Sequence, residues 1–122
     1  MAIKLLCLFV IVVSMLVAPS FATEHIVGDL AGWELFVDYN AWANGKDFKV
    51  GDTLRVFNYN GATHNVAEID ASAFGSCSLT DILYSDDSGK TTFTLEAAKD
   101  YYFTSSKLND CNSNLRLNVN VQ

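Results

Sequence analysis

The segment Leu115-Arg116-Leu117-Asn118-Val119-Asn120-Val121 decides the fold class of this chain. Its apolar and polar residues alternate, and a period of two is typical of a strand with one face in a core and the other in water. Segments 53–59, 91–95 and 101–104 are rich in β-branched and aromatic residues and lie between turn residues. Many short strands at this spacing predict an all-β, antiparallel sandwich. Weaker patterns at 40–44 and 70–74 predict short helices.

The composition of the chain limits both its size class and its partners. Its 122 residues are enough for one domain, and 50% hydrophobic with 18% charged residues excludes a disordered chain. There are 14 acidic and 8 basic side chains, a formal charge of -6. Because nucleic-acid affinity depends on Lys and Arg at phosphates, we expect no nucleic-acid partner. The only histidines, His25 and His64, exclude a histidine-rich metal centre.

Residues 1–22 are predicted to be a cleaved signal peptide, which leaves 23–122 as one domain. Lys4 precedes an apolar run over 5–18, and Ser20-Phe21-Ala22 places small residues at the cleavage site. The alternative is a membrane anchor, but a span needs about 20 apolar residues, more than this run has. No apolar tail follows the last strand. We therefore expect a secreted, extracellular protein without a membrane anchor, with 14 acidic and 7 basic residues.

Cleavage also changes the cysteine count. Cys7 leaves with the signal peptide, so Cys77 and Cys111 remain. An even pair in an oxidising compartment predicts one disulfide. It would tie the loop around Cys111 to a strand region near Cys77. The alternative, one thiolate free for a metal, leaves an orphan thiol in a secreted protein.

Several blocks of residues along 24–121 carry a family resemblance. They are His25-Ile26-Val27-Gly28-Asp29, Gly32-Trp33, Tyr39, Trp42-Ala43, Gly45-Lys46, Phe48, Val50-Gly51-Asp52, Phe57-Asn58-Tyr59, His64-Asn65-Val66 and Tyr101-Tyr102-Phe103 with Cys111. In this order and spacing they resemble the phytocyanins, secreted plant cupredoxins that include plantacyanins, stellacyanins and early nodulin-like proteins. The resemblance implies a cupredoxin-like Greek-key β-sandwich of two sheets with one or two short helices. It also implies that Cys77 and Cys111 form the family's disulfide.

The same resemblance implies where the copper ligands would lie. Copper-binding members use two histidines, a cysteine thiolate and a weak axial residue. When the family's final motif is laid over residues 102–115 without gaps, these positions fall on Ser105, Asp110 and Leu115, and only His64 is kept. A protonated hydroxyl and a hard carboxylate oxygen suit no tight type 1 copper site. We therefore expect no metal and no other cofactor, with four vestigial positions: His64, Ser105, Asp110 and Leu115.

Other interpretations of these residues are weaker. His64, Asp110 and Ser105 could hold an adventitious divalent metal, or be written as a hydrolytic triad, but no Gly-x-Ser-x-Gly elbow is present. The acidic stretch 86–89 lacks the register of a calcium loop and is expected to be a solvated turn. The aromatics could line a groove for sugars or peptides, but most are expected in the core. They are Trp33, Trp42, Tyr101, Tyr102 and Phe103.

The sequence therefore predicts a copper-free phytocyanin-like protein that is not an enzyme. We expect a monomeric, extracellular binding, recognition or signalling module whose ligand is a cell-wall carbohydrate or a protein. The alternative is an electron-transfer protein of the plantacyanin type, which the family relationship suggests. That alternative lacks the thiolate on which a blue copper site depends.

Overall fold

A computed structural model describes residues 21–122 of the chain. The predicted signal peptide, residues 1–22, lies outside the described residues except for its last two, and the cleavage site stays a prediction. Within the described range, no helix is long and apolar enough to cross a bilayer. The strands are β1 (Glu24–Ile26), β2 (Thr53–Phe57), β3 (Val66–Ile69), β4 (Tyr84–Asp86), β5 (Lys90–Thr94), β6 (Asp100–Thr104) and β7 (Arg116–Asn120); the α-helices are α1 (Tyr39–Ala43) and α2 (Ala71–Ser76).

The strands form two sheets, one ordered β1-β2-β5 and the other β4-β3-β6-β7. The sandwich and its two short helices agree with the prediction. The prediction of an antiparallel sandwich is wrong for one pair of strands, because β1 runs parallel to β2, with Glu24 opposite Thr53. An isolated parallel bridge also joins Phe48 to Val121. Parallel strands need a long crossover connection. Residues 27–52, which include α1, supply it and bring the chain back to the end where β1 began.

The core follows from the alternation seen in the sequence. Leu117 and Val119 of β7 are at most 1% exposed, whereas Asn118 and Asn120 face outward. Full burial of each large apolar side chain contributes about 1.5–3 kcal/mol. The predicted core position holds for Trp33, Tyr101 and Phe103, and Trp42 and Tyr102 are half-buried.

The two helices begin at capping carboxylates. Asp38 accepts a hydrogen bond from the Ala41 amide at the start of α1, and Asp70 accepts one from the Ala73 amide at the start of α2. Such caps satisfy backbone N–H groups that the first turn leaves without partners. Each short helix therefore begins because an aspartate caps its first turn, Asp38 for α1 and Asp70 for α2.

The predicted disulfide between Cys77 and Cys111 is confirmed, and the Cα atoms of the two cysteines lie 5.8 Å apart. Its predicted location is corrected. Cys77 is the residue that ends α2, with a left-handed φ of 56°, and is not in a strand region. The capped helix that begins after Asp70 uses up the residues between β3 and the cysteine. The bridge therefore joins a helix end to the loop before β7.

Candidate functional site

The central feature of the candidate site is a hydrogen bond between a histidine and a carboxylate. The Nδ1 atom of His64 lies 2.7 Å from Oδ2 of Asp110. The two side chains are only 13% and 6% exposed. An ionised carboxylate only accepts hydrogen bonds, so Nδ1 carries the proton in that state and Nε2 is the free ring nitrogen. The orientation of the His64 ring is therefore fixed by the hydrogen bond between Nδ1 and the Asp110 carboxylate.

The loop 105–115 that carries Asp110 is shaped by its own backbone. The Asp110 amide donates to the Lys107 carbonyl, and the Leu115 amide donates to the Asp110 carbonyl at 3.0 Å. Asn109 and Asn114 have left-handed φ angles of 63° and 69°. Asparagine is among the few non-glycine residues that adopt this region readily. These two asparagines let the chain fold back beneath Asp110.

Ser105 joins this loop to the segment that carries His64. Its side chain is fully buried, and Oγ accepts hydrogen bonds from the Asn65 amide at 3.0 Å and the Lys107 amide at 3.3 Å. The Asn65 side chain adds two bonds with Ser106, one donated by Nδ2 and one accepted by Oδ1. The Ser105 hydroxyl therefore serves as an acceptor that holds two loops together.

We call the four predicted vestigial residues the His64 cluster: His64, Ser105, Asp110 and Leu115. His64 and Leu115 each bond to Asp110, through its carboxylate and its carbonyl. Ser105 is connected to them through the amide of Asn65, the residue after His64. Leu115 is 1% exposed, and its carbonyl accepts a hydrogen bond from the Thr104 hydroxyl at 2.8 Å. That these positions correspond to the copper ligands of other phytocyanins stays a prediction from the sequence.

The donor atoms of the His64 cluster do not match those of a blue copper site. Both cysteines in residues 21–122 are in the disulfide, so this range offers no thiolate. Across the same range, no three His, Cys, Asp or Glu side chains are grouped so that they could hold a metal ion. The cluster offers one imidazole, one carboxylate oxygen and one buried alcohol. Type 1 copper requires soft thiolate and imidazole ligands in a trigonal arrangement.

The hydrolytic interpretation also lacks its key contact. A nucleophilic serine needs a hydrogen bond to its histidine base. In the described part of the chain, the Ser105 hydroxyl bonds only to two backbone amides, and His64 bonds to Asp110. The His–Asp half of a triad is present without a connected nucleophile.

A second buried histidine–carboxylate pair, which the sequence analysis missed, lies at the opposite end of the sandwich. His25 Nε2 is 2.9 Å from Asp52 Oδ2, and the Thr23 and Lys49 amides also donate to this carboxylate. Burial raises the pKa of Asp52, but these hydrogen bonds outweigh burial and hold the pKa below its usual value. The available signal was Asp52 directly before β2, but only the parallel pairing of β1 and β2 places His25 beside it.

The acidic stretch 86–89 is a turn whose first carboxylate bonds to neighbouring hydroxyls. Thr91 Oγ1 donates to Asp86 Oδ2 at 2.6 Å, and Ser88 Oγ donates to the same atom at 2.7 Å. These bonds lower the pKa of Asp86. The carboxylate has a structural role that ties β4 to β5.

The protein is cupredoxin-like in its fold and site. It is a two-sheet β-sandwich with His64 in the segment before β3, and a disulfide anchors the loop 105–115 that follows β6. Residues 33–115 match the family model described as a plastocyanin-like domain. The solved structure of cucumber basic protein, a blue copper protein, superposes with a TM-score of 0.73 at 27% identity, over 82% of this chain and 100% of that one. Cucumber stellacyanin superposes with the same TM-score at 30% identity, over 83% and 96% of the two chains.

The chain belongs to the phytocyanin family of plastocyanin-like plant proteins. It is 36% identical over 117 residues to a blue copper protein of Pisum sativum, covering 96% of this chain. It is 33% identical to the cucumber peeling cupredoxin of Cucumis sativus, over 82% of this chain and 76% of that protein. The chain spans only 61% of the length of the pea protein. These findings confirm the predicted family and the cupredoxin-like sandwich.

Proposed function

We propose that this chain is a secreted, copper-free phytocyanin that acts as a non-catalytic binding or recognition module outside the cell. The observation that carries the proposal is the 2.7 Å hydrogen bond between His64 and Asp110, with the buried Ser105 hydroxyl in the same cluster. These contacts engage Nδ1 of His64, Oδ2 of Asp110 and Oγ of Ser105 in hydrogen bonds within the protein, and Nε2 is the ring nitrogen left free. Three polar atoms of the cluster are therefore held by internal partners and not presented as an open set of ligands.

The chemistry of the donors supports the absence of copper. A thiolate binds copper tightly and gives the blue site its electron-transfer properties, whereas a serine hydroxyl stays protonated at neutral pH. A metal at His64 Nδ1 would also have to displace the Asp110 carboxylate. Leu115 alone would be tolerable, because the axial bond of a blue site is weak.

Electron transfer is the alternative function, and the names of the relatives favour it. The pea and petunia relatives are both called blue copper proteins. An electron carrier needs a redox centre, and the described residues of this chain offer copper neither a thiolate nor a second nearby imidazole. We therefore keep electron transfer as the alternative and propose a binding role for this chain.

Secretion rests on two independent features. The segment before residue 23 has the charge, apolar run and small residues of a signal peptide. The Cys77–Cys111 disulfide is of the kind that forms and persists in oxidising compartments.

The test is the metal content of the secreted protein. The full chain is expressed in plant cells, purified from the medium, and analysed for copper by mass spectrometry, with cucumber stellacyanin produced in parallel as the positive control. We expect copper far below one atom per chain and a colourless protein. A blue protein with close to one copper per chain would contradict the proposal.

A further inference from the structure

An open, polar groove runs along the side of the sandwich, between α1 and the outward face of β7. Its volume of about 730 Å³ lies within the range of small-ligand sites. Five side-chain amides from Asn and Gln line its walls together with two carboxylates, Asp38 and Asp47, and apolar surface that includes Ala41, Ala43 and Phe48. The main lining residues are Asn40, Asn44, Asp47, Asn118, Asn120 and Gln122.

We propose that this groove binds a neutral oligosaccharide segment of an extracellular polysaccharide. The inference deepens the proposed function and rests on it, because it names the ligand class of the binding module. It concerns a surface on the flank of β7, separate from the His64 cluster at the loop end of the sandwich.

Part of the hydrogen-bonding capacity of the groove is free to serve a ligand. Asn40, Asn44 and Asp47 are exposed, and no side-chain hydrogen bond joins them to another residue within 21–122. Gln122 and Asn120 are bonded to each other, and Asn120 also donates Nδ2 to Asp100. On the opposite wall, Asn118 donates Nδ2 to the Tyr101 carbonyl, which leaves its Oδ1 as an acceptor. An amide both donates and accepts, and so does a sugar hydroxyl. A polyhydroxylated, uncharged ligand is therefore the chemistry that these walls complement.

Trp42 supplies an aromatic surface next to the groove. The ammonium of Lys46, which lines the groove, lies 5.2 Å from the centroid of the Trp42 ring. Lys46 is exposed and pairs with no carboxylate among the described residues, so its side chain can move aside. The ring beneath it can then meet the C–H face of a sugar. The buried Nε1 of Trp42 has no hydrogen-bond partner within residues 21–122.

The charge of the groove selects against acidic sugars. Asp38 and Asp47 line it against one lysine, Lys46, and the whole chain carries a formal charge of -6. Like charges brought together at a binding surface suppress the wrong partner. We therefore expect uronate-rich chains to bind less tightly than neutral chains of the same length.

The test uses intrinsic fluorescence, because the two tryptophans differ in exposure. Trp33 is fully buried, so a change in emission on ligand addition reports Trp42. The secreted protein is titrated with cellohexaose, xylohexaose and mannohexaose, and with hexagalacturonate as the acidic hexamer. We expect a saturable change with at least one neutral hexaose, with a Kd of about 1 mM or tighter, and at least about fivefold weaker binding of hexagalacturonate.

Matched variants locate the binding. Asn40→Ala with Asn44→Ala should weaken binding of the neutral hexaose about tenfold, because each removes hydrogen bonds to the ligand. Asn112→Ala is the control, since Asn112 is equally exposed and lies outside the groove. It should leave the affinity unchanged. Circular dichroism confirms that all variants keep the β-sandwich.

The outcomes separate the inference from the proposed function. No response to any neutral hexaose, tighter binding of hexagalacturonate, or equal binding by the groove and control variants would each overturn the inference. Capture of an extracellular protein without any sugar response would also overturn it, but would leave the proposed function standing. A blue, copper-loaded protein would contradict the proposed function whatever the sugar titrations show.

Discussion

At the scale of single residues, Asp110 decides the character of the His64 cluster. A carboxylate at this position gives the His64 ring a partner at 2.7 Å, in a place where both side chains are nearly buried. A buried polar group without a partner costs free energy, so the carboxylate stabilises the buried ring by giving its Nδ1 atom a partner. This is the residue that, by the family resemblance, is predicted to stand where copper-binding members have a histidine.

Asp110→Ala should lower the free energy of unfolding by about 1–3 kcal/mol, because it leaves the His64 ring without its buried partner. Urea denaturation followed by fluorescence measures the change. Asp87→Ala is the control, because Asp87 is 68% exposed and its contact with Lys107 is long, at 3.8 Å; such surface pairs contribute little. An equal decrease in the free energy of unfolding in the two variants would show that the His64–Asp110 bond stabilises the fold no more than the exposed pair does.

Asp52 makes stability depend on pH in the acid range. Its folded-state pKa lies below the usual value, since the hydrogen bonds from His25 and two backbone amides favour the charged form. The unfolded chain therefore binds more protons than the folded chain between the lowered pKa and about 3.9. The stabilisation is fully present above about pH 4 to 5 and is lost as the pH falls through the folded pKa.

We expect Asp52→Asn to show a shallower loss of unfolding free energy below about pH 4 than the unsubstituted protein. Urea denaturation from pH 6 to pH 2 measures this, with Asp47→Asn as the control, because Asp47 is exposed and lies outside the His25 pair. Identical acid profiles for the unsubstituted protein and Asp52→Asn would refute this role for the carboxylate.

At the scale of elements, the loop 105–115 is anchored at both ends. The Ser105 hydroxyl holds its beginning to Asn65, and the disulfide holds Cys111 to the end of α2. A cross-link over 34 residues restricts the unfolded chain strongly. The shape of the loop is therefore held by the disulfide and by hydrogen bonds, together with the packing of Leu115 in the core.

Cys77→Ser with Cys111→Ser should lower the free energy of unfolding by about 3–4 kcal/mol. Thermal and urea unfolding of the variant and the unsubstituted protein measure the loss. The intact mass of the unsubstituted protein should rise by two hydrogens on reduction. Two thiols that react with alkylating agents before reduction would contradict the bridge.

The sequence predicts an element well when the signal is local. The alternation at 115–121 predicts β7 and its buried face, and the turn residues predict the strands near β2, β5 and β6. The parallel pairing of β1 depends on contacts across 29 residues, and local patterns carry no information on it. The site divides in the same way. The resemblance to the phytocyanins is what predicts that His64, Ser105 and Asp110 lie together, whereas the His64–Asp110 bond and the His25–Asp52 pair depend on three-dimensional packing.

At the scale of the whole molecule, the β-sandwich keeps two features apart. One end presents the His64 cluster with its internal hydrogen bonds, and the flank between α1 and β7 presents the groove that we propose as a binding surface. The core between them combines strand residues, such as Leu117 and Val119, with residues of the connections, such as Trp33, Phe48 and Leu115. We therefore predict that this fold would hold copper if a thiolate and a second imidazole were supplied at positions 105 and 110.

A copper titration of the unsubstituted protein beside Ser105→Cys with Asp110→His tests this claim most directly. His64 is in place, and Asn114 already has the left-handed φ of 69° that the loop requires; buried Leu115 suits an apolar axial position. The native disulfide is first verified by intact mass, because a new thiol can exchange with it. On addition of Cu(II), we predict an intense blue band in the double variant, a weaker one in Ser105→Cys alone, and none in the unsubstituted protein. A blue unsubstituted protein, or a folded double variant that stays colourless, would contradict the account.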